Sequence, residues 1–404
     1  MNILILTSIY PQADDEENIG VTPVVQYFAN EWAKENHNVI VIHNSSRYPK
    51  ILYKLPNYLL KKINSRFGIV IPNEKQTDKL CTNVDGVICL RLPMLKVIPK
   101  LRYSDNQVKQ QFNLINDFLE EKNFKPDIVL GHWETPQIPL LGMFKDKYST
   151  RTALVFHSLV YITQKRYKEW AKKYIKKIDV IGARSENIAN QVGELLDLEF
   201  SPFLCRSGIS DEYFDKEKFP LCDFKDKEKD SYLYVGRLIR RKNVDASILA
   251  LKEAYNNIHF SFNIIGNGAE KENLIELAKE KDLTSKVHFK GYIHRDKVMD
   301  IMNSTQVFIM ISDNETFGLV YIEAMSRGCI VIASKNGGME GIIEDGVNGF
   351  LCEQGNAEEL ALICKRIREM SFEDKGKISN NAINTAYEFR DSAMAKKYLG
   401  EVLN

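Results

Sequence analysis

Long apolar runs are missing from this chain of 404 residues. No stretch approaches the ~20 consecutive apolar residues that a membrane-spanning helix needs. The amino terminus enters a strand pattern at once, in Met1-Asn2-Ile3-Leu4-Ile5-Leu6-Thr7, so no signal peptide is expected there. Cysteine is sparse: seven residues, an odd number without metal-ligand spacing, argue against a disulfide framework and for free thiols in a reducing, cytoplasmic compartment. Cys81 and Cys89, the nearest pair, read as small structural side chains. Charge of one sign is not in excess, with 55 Lys+Arg against 54 Asp+Glu and a net charge of +1. Base-reading motifs are absent as well, which speaks against a nucleic-acid partner. The chain has no internal repeat, no low-complexity tract and no Asp-x-Asp triplet. An acidic clamp for a divalent cation therefore has no obvious ligands, and neither a metal nor another cofactor is expected.

An apolar content of 44% is ample for two cores, and the length suits two or three domains of ~100–200 residues each. Near the amino terminus, Ile3 to Thr7, a loop carrying Gly20, an amphipathic run from Val24 to Glu35, and Val39 to Ile42 spell one βαβ unit. Asp14-Asp15-Glu16-Glu17 in that loop reads as a solvated segment, or else as a lid or acceptor contact. Further on, Asp127 to Trp133 and Ala153 to Ser158 read as buried strands that end at His132 and His157. Strand carboxyl ends face the ligand crevice in a doubly wound sheet, so an acceptor-side role for His132 competes with that of a satisfied structural histidine. Between Asp211 and Lys229 the sequence turns lysine- and aspartate-rich around Pro220 and loses its period, which places a linker there and divides the chain near residue 215.

In the second half, Val307-Phe308-Ile309-Met310-Ile311 has the look of a buried parallel strand and is followed by the polar loop Ser312-Asp313-Asn314. A helix is expected to open near Phe317. Its first amides, from Thr316 and Phe317 through Gly318 and Leu319, carry unpaired N–H groups and the positive end of the helix dipole, a setting for phosphate or sugar oxygens. Glu315 stands in the loop and Glu323 inside the helix, where its carboxylate can accept hydrogen bonds from vicinal hydroxyls such as those of ribose. Upstream, Tyr232-Leu233-Tyr234-Val235-Gly236-Arg237 ends a strand at a glycine. Arg237 and Lys242 are both in reach of one diphosphate, Arg as a bidentate fork and Lys as a point charge, while Arg240 and Arg241 read as solvated. Gly266 and Gly268 follow another strand and permit close approach of a ligand, although Lys271 stands where a dinucleotide fingerprint wants a third glycine.

The ordered series Gly236-Arg237…Lys242, Ile265-Gly266-Asn267-Gly268, Gly291-Tyr292-Ile293 and Glu315-x7-Glu323 resembles the donor domain of retaining GT-B glycosyltransferases of family 4, the glycosyl transferases group 1, over most of residues 230 to 385. That resemblance implies an α/β GT-B fold: two Rossmann-like doubly wound parallel-sheet domains facing across a cleft, the first at 1–215, the donor domain at 216–386, and a C-terminal helix at 387–404 crossing back. It implies a retaining hexosyltransferase that uses a nucleotide diphosphate sugar, UDP-linked by family frequency, and a glycan or lipid-linked acceptor. By the same resemblance, Arg237 and Lys242 bind the diphosphate, Glu323 the ribose and Glu315 the donor sugar. Ile293 meets the base through its backbone, Gly20 faces the phosphates, and His157 lies near the reacting sugar. Val21 stands where many members carry a second glycine, and Ser207 where asparagine is frequent. A non-catalytic sugar-nucleotide-binding subunit and an NAD-dependent oxidoreductase share parts of this grammar. The presence of His157 and Glu315 argues against the first, and a long acidic loop with one glycine after the opening strand argues against the second.

From Ser45 to Pro72 there are six basic residues and no acidic ones, interleaved with aromatic and aliphatic side chains, and Lys165 to Lys177 adds seven more against the single Glu169. This composition suits either peripheral contact with an anionic inner membrane leaflet or a solvated face over the first core.

Overall fold

The computed structural model describes residues 1–11, 22–56, 59, 78–97, 101–256, 258–315 and 317–404. Contacts divide the chain into two units, Met1–Arg206 with Met394–Asn404, and Ser207–Ala393. The division precedes residue 215 because the chain just after Arg206 is already knitted into the second unit. The Ile209 amide donates to the Phe389 carbonyl at 2.9 Å and the Asp391 amide to the Ile209 carbonyl at 2.8 Å.

The strands of the first unit are β1 (Asn2–Thr7), β2 (Asn38–His43), β3 (Ser46–Arg47), β4 (Leu80–Val84), β5 (Val87–Arg91), β6 (Met94–Leu95), β7 (Ile128–His132), β8 (Arg151–Phe156), β9 (Val180–Ala183) and β10 (Phe203–Leu204). Eight of them form one sheet in the order β10-β9-β8-β7-β1-β2-β5-β4, and β3 pairs with β6 alone. All its pairings are parallel except the edge hairpin β4–β5, which places Thr82 opposite Cys89. The central strands are apolar runs, with Ile3 to Leu6, Val129 and Leu130, and Leu154 to Phe156 fully buried, as expected where helices cover both faces. Helix Val24–Lys34 buries Phe28 and Trp32 on one stripe. Trp32 Nε1 donates to the Ala395 carbonyl at 3.1 Å, which ties the C-terminal helix Asp391–Leu403 to this unit from Met394 onward. Helix Lys165–Ile175 turns Tyr167, Trp170, Ala171 and Ile175 inward, so the apolar half of its composition is spent on its own core. Much of the basic stretch that runs to Pro72, Phe67 included, lies outside the described residues.

The second unit holds β11 (Glu228–Val235), β12 (Ser261–Ile265), β13 (Val287–Gly291), β14 (Thr305–Met310), β15 (Ile330–Ser334) and β16 (Phe350–Cys352) in a parallel sheet ordered β13-β12-β11-β14-β15-β16. The chain winds one way from β11 to β13 and the other way from β14 to β16, so the strand order reverses between β11 and β14. The expected linker at Asp211–Lys229 is not free chain. It forms two short 3-10 turns, Asp211–Phe214 and Phe224–Asp226, pinned by buried cations. Arg327 donates to the carbonyls of Tyr213 and Phe219, and Lys227 to those of Met302, Asn303 and Arg327. Among the described residues no helix is long and apolar enough to cross a membrane, and all seven cysteines are free thiols.

Candidate functional site

Reversal of strand order opens a crevice beyond the carboxyl ends of β11 and β14. Two loops reach it. The one after β11 runs through Gly236 and Arg237 into the turn Arg240–Lys242; the one after β14 leads to helix Leu319–Ser326. Asn243 couples them. Its backbone sits in the left-handed region at φ 48°, which suits asparagine, and its amide donates to the Ile311 carbonyl at 3.0 Å and to Asp313 Oδ1 at 2.7 Å. The Asp313 amide in turn donates to the Arg241 carbonyl at 2.8 Å. With both loops held, Lys242 Nζ meets Glu315 Oε2, and Arg241 approaches the same oxygen at 3.7 Å. Burial pulls the Lys242 ammonium below its ordinary range, with the Glu315 carboxylate pulling the other way.

A cavity of about 490 Å³ lies in this crevice. Its lining contains Arg237, Arg241, Lys242, Arg295, Gly318 and Glu323, together with Leu319 at the start of the helix. Gly318 is the cap of that helix, at φ 77°, and a Cβ there would meet the Tyr321 ring at 2.6 Å, so only glycine makes this entry. Helix geometry leaves the first N–H groups after Gly318, those of Leu319 and Val320, without intrahelical partners, and both residues line the cavity. Glu323 sits in the second turn, and Arg295 Nη2 donates to its Oε1. Ile293 is also in the lining, and Tyr292 beside it is 72% exposed.

Several expected site residues fall elsewhere. Gly266 and Gly268 do not make room for a ligand: a Cβ at Gly266 would lie 1.9 Å from the Gly236 carbonyl oxygen, and one at Gly268 would lie 2.1 Å from that of Leu238. Their space is filled by the chain's own neighbouring loop, through bonds from the amides of Gly236 to Ile265 and of Leu238 to Asn267, each 3.0 Å. Phe317 is buried at 3% exposure, its ring 6.1 Å from that of Phe389, so its side chain anchors the loop and leaves only its backbone for a ligand. Arg241, read as a solvated charge, is half-exposed but lines the cavity. Gly20 and Thr316 lie outside the described residues, as do Asp14 to Glu17 and Val21. Arg295 was missed by sequence reasoning. The available signal was a basic residue soon after Gly291, at the end of β13.

In the first unit, β7 and β8 end side by side and bring His132 and His157 together, Nδ1 to Nε2 at 3.0 Å. His132 has no exposed surface. Phe28 and Tyr398 enclose it, and the Tyr398 hydroxyl lies 3.3 Å from its Nε2. The acceptor-side reading of His132 is therefore corrected: a fully enclosed ring holds its neighbour rather than meeting an acceptor. Burial, reinforced by the Arg184 guanidinium, pushes His132 down to about 3. Burial likewise drives His157 well below the ordinary histidine range, with His132 and Arg184 adding to it. His157 is half-buried and stacks on Trp133 at 3.9 Å, 16° from coplanar. It stands at the strand end as a neutral ring able to donate or accept one hydrogen bond. Glu134, which follows Trp133, is buried and accepts from the amides of Tyr161 at 3.3 Å and Ile162 at 3.1 Å; burial raises its carboxyl to about 7 against those two bonds.

The model of the family described as glycosyl transferases group 1 matches residues 215–387. That span contains the reversed sheet, both loops and every cavity residue named above. Residues 215–387 are a glycosyl transferases group 1 domain. An uncharacterised glycosyltransferase of Methanocaldococcus jannaschii is 27% identical over 278 residues, 68% of this chain and 73% of that one. N-acetyl-alpha-D-glucosaminyl L-malate synthase of Bacillus anthracis is 25% identical over 190 residues, 46% of this chain and 49% of that one, so the match spans about half the length of that relative. Among solved structures, HepE of Anabaena in complex with UDP shares 15% identity with a TM-score of 0.66, covering 99% of each chain. The fold of the whole chain is GT-B, and the glycosyl transferases group 1 domain supplies its second Rossmann-like sheet.

Proposed function

We propose that this chain is a retaining hexosyltransferase that takes its sugar from a nucleotide diphosphate sugar, UDP-linked by preference. The acceptor is a hydroxyl of a glycan or lipid-linked molecule in cell-surface polysaccharide or glycolipid assembly. The observation that carries the reading is the convergence of Arg237, Lys242 and Glu323 on one cavity at the point where the sheet reverses. The lining holds the cations Arg237, Arg241, Lys242 and Arg295 against Glu323, with Glu315 adding a second carboxylate at Lys242. The balance is a surplus of positive charge suited to the phosphates of a nucleoside diphosphate. The HepE structure with UDP and the family resemblance support the choice of nucleotide.

In the transfer step the bond between the anomeric carbon and the diphosphate oxygen breaks, and one to the acceptor oxygen forms as that hydroxyl passes its proton to the departing diphosphate. Arg237, Lys242 and the helix amides at Gly318 and Leu319 take up the charge that grows on the departing diphosphate, and this electrostatic stabilisation is the main source of rate. These cations stand in the role that a divalent ion fills elsewhere, so no metal is required. Glu315 contacts the donor sugar, and His157, neutral and at a strand end, contacts a sugar hydroxyl. Localisation is cytoplasmic, with the basic face of helix Lys165–Ile175 resting on an anionic inner leaflet where a lipid-linked acceptor is presented.

The test is a panel of UDP-, GDP- and ADP-sugars against lipid-linked and soluble glycan acceptors, read as nucleotide release and glycoside product. Product with retained anomeric configuration from one donor supports the proposal. Nucleotide binding with no transfer to any acceptor would favour a non-catalytic subunit.

A further inference from the structure

We propose that Arg295 is a positioning residue that sets the preference of the cavity for ribose over deoxyribose, by holding the Glu323 carboxylate so that one oxygen is occupied and the other is presented to the ligand. The inference rests on reading Glu323 as the ribose contact. Arg295 opens the helix Arg295–Ser304, directly after the β13 loop that carries Ile293, and its Nη2 donates to Glu323 Oε1. That leaves Oε2 for a ligand, on a side chain that is only 8% exposed and lines the cavity. The arginine also meets an aromatic ring. Its guanidinium lies 5.5 Å from the centre of the Tyr213 ring, and Tyr213 is itself fixed by the bond that Arg327 donates to its carbonyl.

The terminal torsion of a glutamate is broad and two-fold, so an unrestrained carboxylate turns to suit whatever approaches it. One held at Oε1 by an arginine presents its second oxygen in a restricted direction. A ribose 2′-hydroxyl donates to that oxygen; a deoxyribose leaves it without that bond. A site built to bond a hydroxyl rejects the analogue that lacks it for this reason.

The experiment is calorimetric titration of wild type, Arg295→Gln, Arg295→Lys, Tyr213→Leu and Glu323→Gln with UDP and 2′-deoxy-UDP, with GDP and ADP pairs run alongside so that the base does not decide the outcome. The expected wild-type ratio of dissociation constants, deoxy over ribo, is ~10-fold, the equivalent of ~1.4 kcal/mol. Arg295→Gln lowers the ratio below ~3-fold, Arg295→Lys restores part of it, and Tyr213→Leu gives an intermediate value that serves even where Arg295→Gln fails to fold. A ratio that survives Arg295→Gln but falls in Glu323→Gln overturns the positioning role and leaves the ribose reading standing. Equal weakening of both nucleotides by Arg295→Gln makes it a phosphate contact and likewise overturns the inference. A wild-type ratio near one, unchanged in Glu323→Gln, removes the ribose reading and this inference with it.

Discussion

Lys242→Ala has two consequences that can be separated. The first is on stability. Lys242 and Glu315 side chains are 10% and 13% exposed, and their pair is the main compensation of each charge. Removing one partner of such a pair costs ~3–5 kcal/mol, because a charge is left enclosed without its opposite. Arg241 stays 3.7 Å from the same Glu315 oxygen and is half-exposed, so the low end, ~3 kcal/mol, applies. For a unit the size of Ser207–Ala393 this lowers the melting temperature by ~6–12 °C. Adding Glu315→Gln removes the stranded charge, and the double variant recovers most of the loss. The second consequence is on binding. A charge-assisted hydrogen bond from Lys242 to a phosphate contributes ~1.5–3 kcal/mol, so nucleoside diphosphates bind ~10- to 150-fold more weakly in the single and double variants alike. Differential scanning calorimetry reads the first effect and titration calorimetry the second. Unchanged melting of Lys242→Ala, or no recovery in the double variant, refutes the buried-pair argument. Wild-type nucleotide affinity in the double variant refutes the phosphate contact.

Gly266→Ala places a Cβ 1.9 Å from the Gly236 carbonyl oxygen at a backbone φ of +134°, and is expected to cost ~3 kcal/mol in urea unfolding; an unchanged midpoint contradicts the packing of these two loops. Glu134 has its carboxyl raised to about 7 from an ordinary 4.5, so its contribution to stability is complete below pH ~4.5 and is lost, by ~3 kcal/mol, as pH rises through about 7. Glu134→Gln removes that falling limb from the pH–stability profile, and a variant profile parallel to wild type contradicts it. His132, lowered to about 3, acts in the opposite sense and costs stability as pH falls below the ordinary histidine value; His132→Phe flattens that acid limb, and a persistent limb of full size speaks against a neutral buried ring. Transfer activity is expected to survive excess EDTA, whereas complete loss restored by Mg²⁺ contradicts the metal-free reading.

Buried parallel strands were the most legible part of the sequence, because an apolar run bounded by turn residues has few other uses: Val307 to Ile311 and Ile3 to Thr7 each fall on a strand within a residue or so of its observed end. Spacing also carried Glu323 to the cavity lining and Glu315 to the loop before its helix, against the lining residue Lys242. The glycines were misleading, since a glycine that admits a phosphate and one that admits a neighbouring carbonyl have the same local pattern; only the register between the β11 and β12 loops distinguishes them. The pairing of Arg295 was not legible for a related reason. Its partner is 28 residues away in sequence, and nothing in either segment alone announces the pair. The expected linker failed because its order comes from Lys227, within the segment itself and bonded to the carbonyls of Met302, Asn303 and Arg327, and from Arg327, beyond helix Leu319–Ser326.

The most direct test of the central claim, that the cavity between the β11 and β14 loops binds a nucleoside diphosphate through Lys242 and its neighbours, is titration of purified protein with UDP, GDP, ADP and NAD. At least one nucleoside diphosphate is predicted to bind saturably, with the Lys242→Ala/Glu315→Gln variant ~10-fold or more weaker and NAD silent. Binding of NAD alone, or a diphosphate affinity that the double variant leaves untouched, would contradict the account.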